Sequence, residues 1–140
     1  MGMVLKLRLR NSFKKNWIRF MLLFLLKITP LPRQRRETLE ILRSVQEPTA
    51  SQLGCLACEI YEAVGDDPAI LYMERWESLE AVQHHIQSSL YTKILAAMDM
   101  SAKYPDIHFF DISELGGLDF VESLRSPGRP LPQEGEATEK

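Results

Sequence analysis

Acidic residues are missing from the first 36 positions, which carry ten of the chain's seventeen lysines and arginines; all nineteen acidic groups fall in the remainder. An acidic body lacks the broad basic face that nucleic-acid binding requires, so that function class is set aside. The basic front, residues 1–17, reads as a solvated, disordered extension. Long apolar runs are missing too. The longest, Phe20–Leu26, is closed by Lys27 and falls far short of the roughly 20 residues that span a bilayer. Lys14 and Lys15 ahead of it give residues 17–28 the flavour of a signal peptide, but no small-x-small cleavage site follows. A buried first strand fits better, and a start at Met21 would leave residues 1–20 outside the folded protein. Membrane association is therefore not expected, and a cytoplasmic location is. Cysteine is scarce: Cys55 and Cys58 are the only two. With no second ligand pair and no helix N-terminus, they imply neither a zinc site nor dithiol chemistry. On a regular strand, residues three apart point to opposite faces, so no bridge between them is expected.

What the chain does contain is one domain's worth of alternating and helical patterns. A strand from about Ile18 to Ile28 is broken by Thr29-Pro30-Leu31-Pro32. Leu39, Leu42 and Val45 recur at helical spacing between Arg35 and Gln46. Pro48 is expected to interrupt, with a further turn through Leu53 capped by Gly54. Cys55–Ala63 alternates, with Leu56, Cys58 and Ile60 on one face and Ala57, Glu59 and Tyr61 on the other. Gly65-Asp66-Asp67-Pro68 then turns the chain into a second alternating stretch, Ala69–Trp76, with Ile70, Tyr72, Glu74 and Trp76 on one side. Ser78 is an N-cap candidate for a helix Leu79–Gln87 whose buried stripe is expected to be Leu79, Val82 and Ile86. A second helix begins near Ser88 or Ser89 and presents Leu90, Ile94 and Met98, ending at Tyr104-Pro105. The last strand is Ile107–Ile112. Beyond Gly116-Gly117, Leu118, Val121 and Leu124 make a short amphipathic helix through Arg125, and residues 126–140 read as disorder.

Strand, helix, strand, strand, helix pair, strand is the split βαβ order of a ferredoxin-like βαββαβ fold, an α+β class. Helices cover one sheet face. The other, expected to carry Tyr61, Tyr72 and Trp76, would stay wet in a monomer, so face-to-face pairing of two copies into a homodimer is expected.

Gly54-Cys55, the hairpin, Glu74-x-Trp76 and His85 with Ser88 together resemble the antibiotic biosynthesis monooxygenase domain, across about residues 18–114. That resemblance implies a dimeric α+β barrel and, from the family's quinol oxygenases, a cofactor-independent monooxygenase that oxidises a small quinol or phenol with O2. It implies no metal and no flavin. A haem-degrading subgroup places an asparagine, an aromatic residue and an axial histidine where this chain has Phe24, His85 and Leu95; leucine cannot ligate iron, so haem degradation is disfavoured. The alternative function is a non-catalytic, small-molecule-binding or stress-associated dimer.

The site candidates follow from chemistry as well as resemblance. His85, at the edge of the helix stripe, suits proton transfer because imidazole works near neutral pH. Glu74 is a carboxylate on an apolar strand face and needs a partner: His85, Tyr61 or a residue across the dimer. Glu74 and Tyr61 are assigned orienting roles, Tyr72 joins Tyr61 in binding an aromatic ring, and Trp76 with Phe24 forms an apolar wall. Each has a structural alternative. Buried aromatics are usually core, a half-buried histidine is as readily a satisfied structural group, and tyrosines on a sheet face as readily line an interface.

Overall fold

The computed structural model describes residues 20–126 and 128. The expected disorder of 1–17 and of most of 126–140, and the proposed strand start at Ile18, lie outside those residues. The elements are β1 (Phe20–Ile28), a single 3-10 turn at Pro32–Gln34, α1 (Arg35–Ala50), β2 (Cys55–Glu62), β3 (Ile70–Trp76), α2 (Leu79–Gln87), α3 (Tyr91–Asp99), β4 (Asp106–Ser113) and α4 (Leu118–Arg125). Residues 21–112 form one compact unit, and the described residues after 112 belong to a second. Within the second unit, α4 forms over the span its apolar spacing predicts, with Leu118, Val121 and Leu124 exposed.

In the first unit the four strands form one sheet in the order β2-β3-β1-β4, the ferredoxin-like arrangement. β3 pairs antiparallel with both β1 and β2, setting Phe24 and Cys58 on either side of Glu74. One face packs against the helices. Phe24, Leu26, Ile28, Cys58, Ile70 and Tyr72 from the sheet meet Leu39, Leu42 and Val45 of α1 and Tyr91, Ile94, Ala97 and Met98 of α3. Each fully buried aliphatic side chain here contributes about 1.5–3 kcal/mol relative to exposure. Gln46 on α1 donates to the Cys58 carbonyl at 3.1 Å, tying the helix to the sheet's edge strand.

Four local expectations are corrected. Pro48 lies inside α1 rather than breaking it. The amide it lacks would have bonded the Ser44 carbonyl, and Ser44 is exposed, so water can satisfy that oxygen. The helix consequently ends at Ser51, and Gly54 belongs to the following turn, not to the cap. Its φ of +87° is a left-handed conformation, and an added Cβ would stand 2.5 Å from the Ala81 Cβ on α2. Only glycine therefore lets this turn reach α2 so closely.

The third correction concerns β2. Cys55 pairs with Trp76 and Ala57 with Arg75, so Leu56 is an extra residue in a β-bulge. The bulge resets the alternation. Leu56 is exposed, while Cys55 and Cys58, expected on opposite faces, both pack toward the core as free thiols. The fourth concerns α2. Its buried residues are Val82 and His85, whereas Leu79 and Ile86 are 70% and 40% exposed. The helix is thus rolled so that a histidine, not an isoleucine, faces the sheet.

Candidate functional site

β3 brings the central groups together. Ile70, Tyr72, Glu74 and Trp76 share one side, as their spacing predicts, and all are buried. The face they occupy is the helix-covered one. Tyr72 and Trp76 were expected on the open face beside Tyr61; instead they lie inside a single protomer. Both β3 faces are largely apolar, so alternation alone does not say which one the helices take.

α2 supplies the histidine. Ser78 caps its start by accepting from the Ala81 amide at 3.1 Å, and the Glu77 amide donates to the Gly54 carbonyl at 2.9 Å. The helix begins locked to the turn that follows α1. Two turns later His85 points into the core with no exposure, directly over Glu74, itself 1% exposed.

Glu74 is the hub. Its Oε2 lies 2.9 Å from His85 Nε2 and accepts from the Tyr72 hydroxyl at 2.7 Å. Its Oε1 accepts from Trp76 Nε1 at 2.9 Å. The Cys58 thiol extends the chain by donating to the Tyr72 oxygen at 3.2 Å. A buried carboxylate is tolerable only when its lone pairs are used this fully. Among the three partners the sequence left open for Glu74, the structure selects His85.

The other imidazole nitrogen, Nδ1, lies 2.6 Å from Gln52 Oε1. Gln52, half-buried in the turn after α1, is the network's contact with the surface. The ring itself is held between aromatic neighbours: Trp76 with centroids 4.8 Å apart, and Tyr91 edge-on at 5.3 Å. Phe24 contacts Tyr72 and Tyr91 and stacks on Phe109 of β4 at 4.6 Å. Phe109 is exposed, so a continuous row of rings runs from the surface to His85.

Burial dominates the titration of the surrounding groups. It pushes the Cys58 thiol and the Tyr91 phenol up to about 12 each, with the Glu74 charge adding to both. Tyr72 is raised further by the same two causes in the same order. None of the three gives up its proton readily. Cys55 is also raised, again first by burial.

Tyr61 stands apart. It lies on the open sheet face, 47% exposed, and its hydroxyl donates to Glu59. That bond is the main reason its phenol is held above the ordinary range. Of the six residues singled out in the sequence, the structure therefore assembles Glu74, His85, Tyr72, Trp76 and Phe24, and separates Tyr61. It adds Gln52, Tyr91 and Phe109. None of these three was singled out in the sequence, and nothing in the local pattern marks Gln52. Among the described residues no cluster of three or more His, Cys, Asp or Glu side chains is arranged to hold a metal ion.

The sheet order defines a ferredoxin-like α+β protein, and its covered face seals a carboxylate–imidazole pair beneath the helices. Residues 21–97, more than half of the chain, match the family model for antibiotic biosynthesis monooxygenases, and the chain belongs to that family. It is 26% identical over 84 residues to an uncharacterized protein of Synechocystis sp., covering 59% of this chain and 57% of that one. Only a little over half of that relative's length is therefore matched. A Caulobacter crescentus CB15 protein classed with the antibiotic biosynthesis monooxygenases superposes with a TM-score of 0.61 at 20% identity, over 69% of this chain and 92% of that one. A conserved Methanosarcina mazei Go1 protein gives 0.61 at 18% identity, over 66% and 92%. At such identities the superpositions establish the fold alone. No helix among the described residues is long and apolar enough to cross a membrane.

Proposed function

We propose that the protein is a cofactor-independent monooxygenase acting on a small quinol or phenol, with the Glu74–His85 pair as its proton-handling centre. The observation that carries this reading is the pair itself, a carboxylate and an imidazole at 2.9 Å with no solvent exposure. Replacing a buried ion pair by apolar residues of the same volume is often neutral or stabilising, so stability alone gives little reason for the pair and a use is called for.

The chemistry requires a phenol hydroxyl at His85 Nδ1, where Gln52 stands at 2.6 Å in the structure, so the carboxamide swings aside when substrate enters. Removal of the phenolic proton leaves an electron-rich phenolate, which can pass one electron to O2. Recombination puts one oxygen atom on a ring carbon, the second leaves as water, and the substrate's own two hydrogens balance it: a phenol and O2 become a quinone and water. Trp76, Phe24 and Tyr91 wall the ring, and Tyr72 orients Glu74. The exposed Phe109, stacked on Phe24, marks the entry side, where an incoming aromatic ring can replace one stacking partner with another. Tyr61 has no place in this site.

The open sheet face supports the homodimer. Leu23, Leu25, Leu71, Met73 and Phe110 remain partly or well exposed on the side opposite the helices. An apolar sheet surface of that extent is suited to a second copy. A folded unit spanning residues 18–114 and a cytoplasmic location complete the reading.

Oxygen uptake with a panel of hydroquinones tests it. The wild type should consume O2, and His85→Ala should lower kcat by about 10²–10⁴-fold, the usual range for a lost general base. Ligand binding without O2 uptake by either protein would favour the non-catalytic alternative.

A further inference from the structure

We propose that Gln52 is the positioning residue of this site: its carboxamide accepts from His85 Nδ1 when that nitrogen is protonated and rotates to donate to it when it is not. The proposal rests on the reading of Glu74–His85 as a proton-handling pair.

The geometry leaves few alternatives. His85 Nε2 stands 2.9 Å from a Glu74 oxygen that also accepts from Tyr72. Two bare lone pairs do not approach so closely, so a proton lies between them. The proton that comes and goes must then be carried at Nδ1. That nitrogen faces Gln52 Oε1 at 2.6 Å, a length suited to a charge-assisted N–H···O bond and too short for an amide N–H donating to a ring nitrogen. With the carboxamide oxygen facing the ring, Nδ1 is the donor in this arrangement.

Emptying Nδ1 would leave it facing an oxygen, an unmade hydrogen bond in a buried place. A carboxamide resolves this, because half a rotation presents its N–H₂ instead. No other neighbour can substitute. Glu74 and Tyr72 lie on the Nε2 side, Cys58 bonds to Tyr72, Trp76 packs against the ring and Tyr91 meets it edge-on. Gln52 is also anchored for the task. Its backbone amide donates to the Thr49 carbonyl at 3.0 Å and its carbonyl accepts from the Cys55 amide at 3.1 Å, so only the side chain turns. Gln52 is only partly buried, which gives the proton a way out without opening the core.

Nitrogen-15 NMR of the His85 ring at neutral pH tests this in wild type, Gln52→Glu and Gln52→Leu. Gln52→Glu keeps the acceptor and loses the donor, so His85 should hold its Nδ1 proton throughout. Gln52→Leu removes both, and the ring should settle as the form protonated at Nε2 alone. The wild type should show Nδ1 exchanging between the two. In oxygen uptake, both variants should lose at least tenfold in kcat with KM within twofold of wild type. Identical Nδ1 protonation in all three folded proteins would overturn the proposal, whatever the turnover. Wild-type Nδ1 exchange observed in a protein that consumes no O2 would leave Gln52's role standing and remove the oxygenase reading instead. Should a variant fail to fold, the wild-type spectrum alone decides, since an Nδ1 that never carries a proton contradicts the 2.6 Å contact.

Discussion

The two faces of the sheet are both built from alternating residues of the same strands, yet they do different work. The helix-covered face buries charge: Glu74, His85, Tyr72, Trp76 and Cys58 share one hydrogen-bonded chain. The open face is mixed, with Leu23, Leu25, Leu71 and Met73 at its centre, Arg75 beside Leu23, Lys27 beside Leu71, and Tyr61 with Glu59 at its rim. Charge there lies on the side away from the core, as is usual. The contrast teaches that buried polarity, satisfied within one hydrogen-bonded chain, is what marks the site.

Removing the hub should break the contrast most strongly. Glu74→Ala leaves the Tyr72, Trp76 and His85 donors without their acceptor, and a loss of about 3–5 kcal/mol is expected. Chemical denaturation reads it directly. A change under 1 kcal/mol would mean the covered face does not depend on its polar chain.

A charge on the open face should act differently. Leu25→Glu places a carboxylate beside Met73 at the centre of the exposed strands, and the proposed dimer should fail to form while the chain stays folded. Sedimentation velocity distinguishes this from unfolding. A wild type that is monomeric yet fully folded would remove the pairing role of that face.

Alkaline titration gives the smallest effect and the sharpest comparison. Cys58, Tyr72 and Tyr91 hold their protons in the fold because of burial. The unfolded chain ionises its thiols from the ordinary value of 9.0 upward. Unfolding is therefore favoured as pH rises, with stability intact below 9 and lost toward 12. A tenfold difference in proton binding at Cys58 near pH 10 amounts to about 1.4 kcal/mol, and the melting temperature should fall by about 4 °C or more. Tyr61, on the open face, adds little because it is already solvated. A melting temperature flat from pH 8 to 11 would contradict the burial of these groups.

Much of this was legible in the sequence, and the failures are local. The Ala69–Trp76 alternation correctly put Ile70, Tyr72, Glu74 and Trp76 on one side of β3, and the Ser78 cap fixed the start of α2. The face assignment of Tyr72 and Trp76 failed because Leu71, Met73 and their neighbours make the opposite side equally apolar. Cys55 and Leu56 were misplaced because a bulge, one extra residue at Leu56, inverts the alternation without leaving a mark in composition. His85 was expected at the edge of an apolar stripe. Its full burial depends on Glu74, eleven residues away, being there to receive it. Gln52 was invisible because its role is set by a tertiary contact in a turn.

The most direct measurement is a crystal structure with a bound small hydroquinone. The aromatic ring should lie on the helix-covered face, against Phe24 and Tyr91 and with its hydroxyl at His85. A ring found on the open face beside Tyr61 and Met73, with Glu74 and His85 undisturbed, would contradict the account.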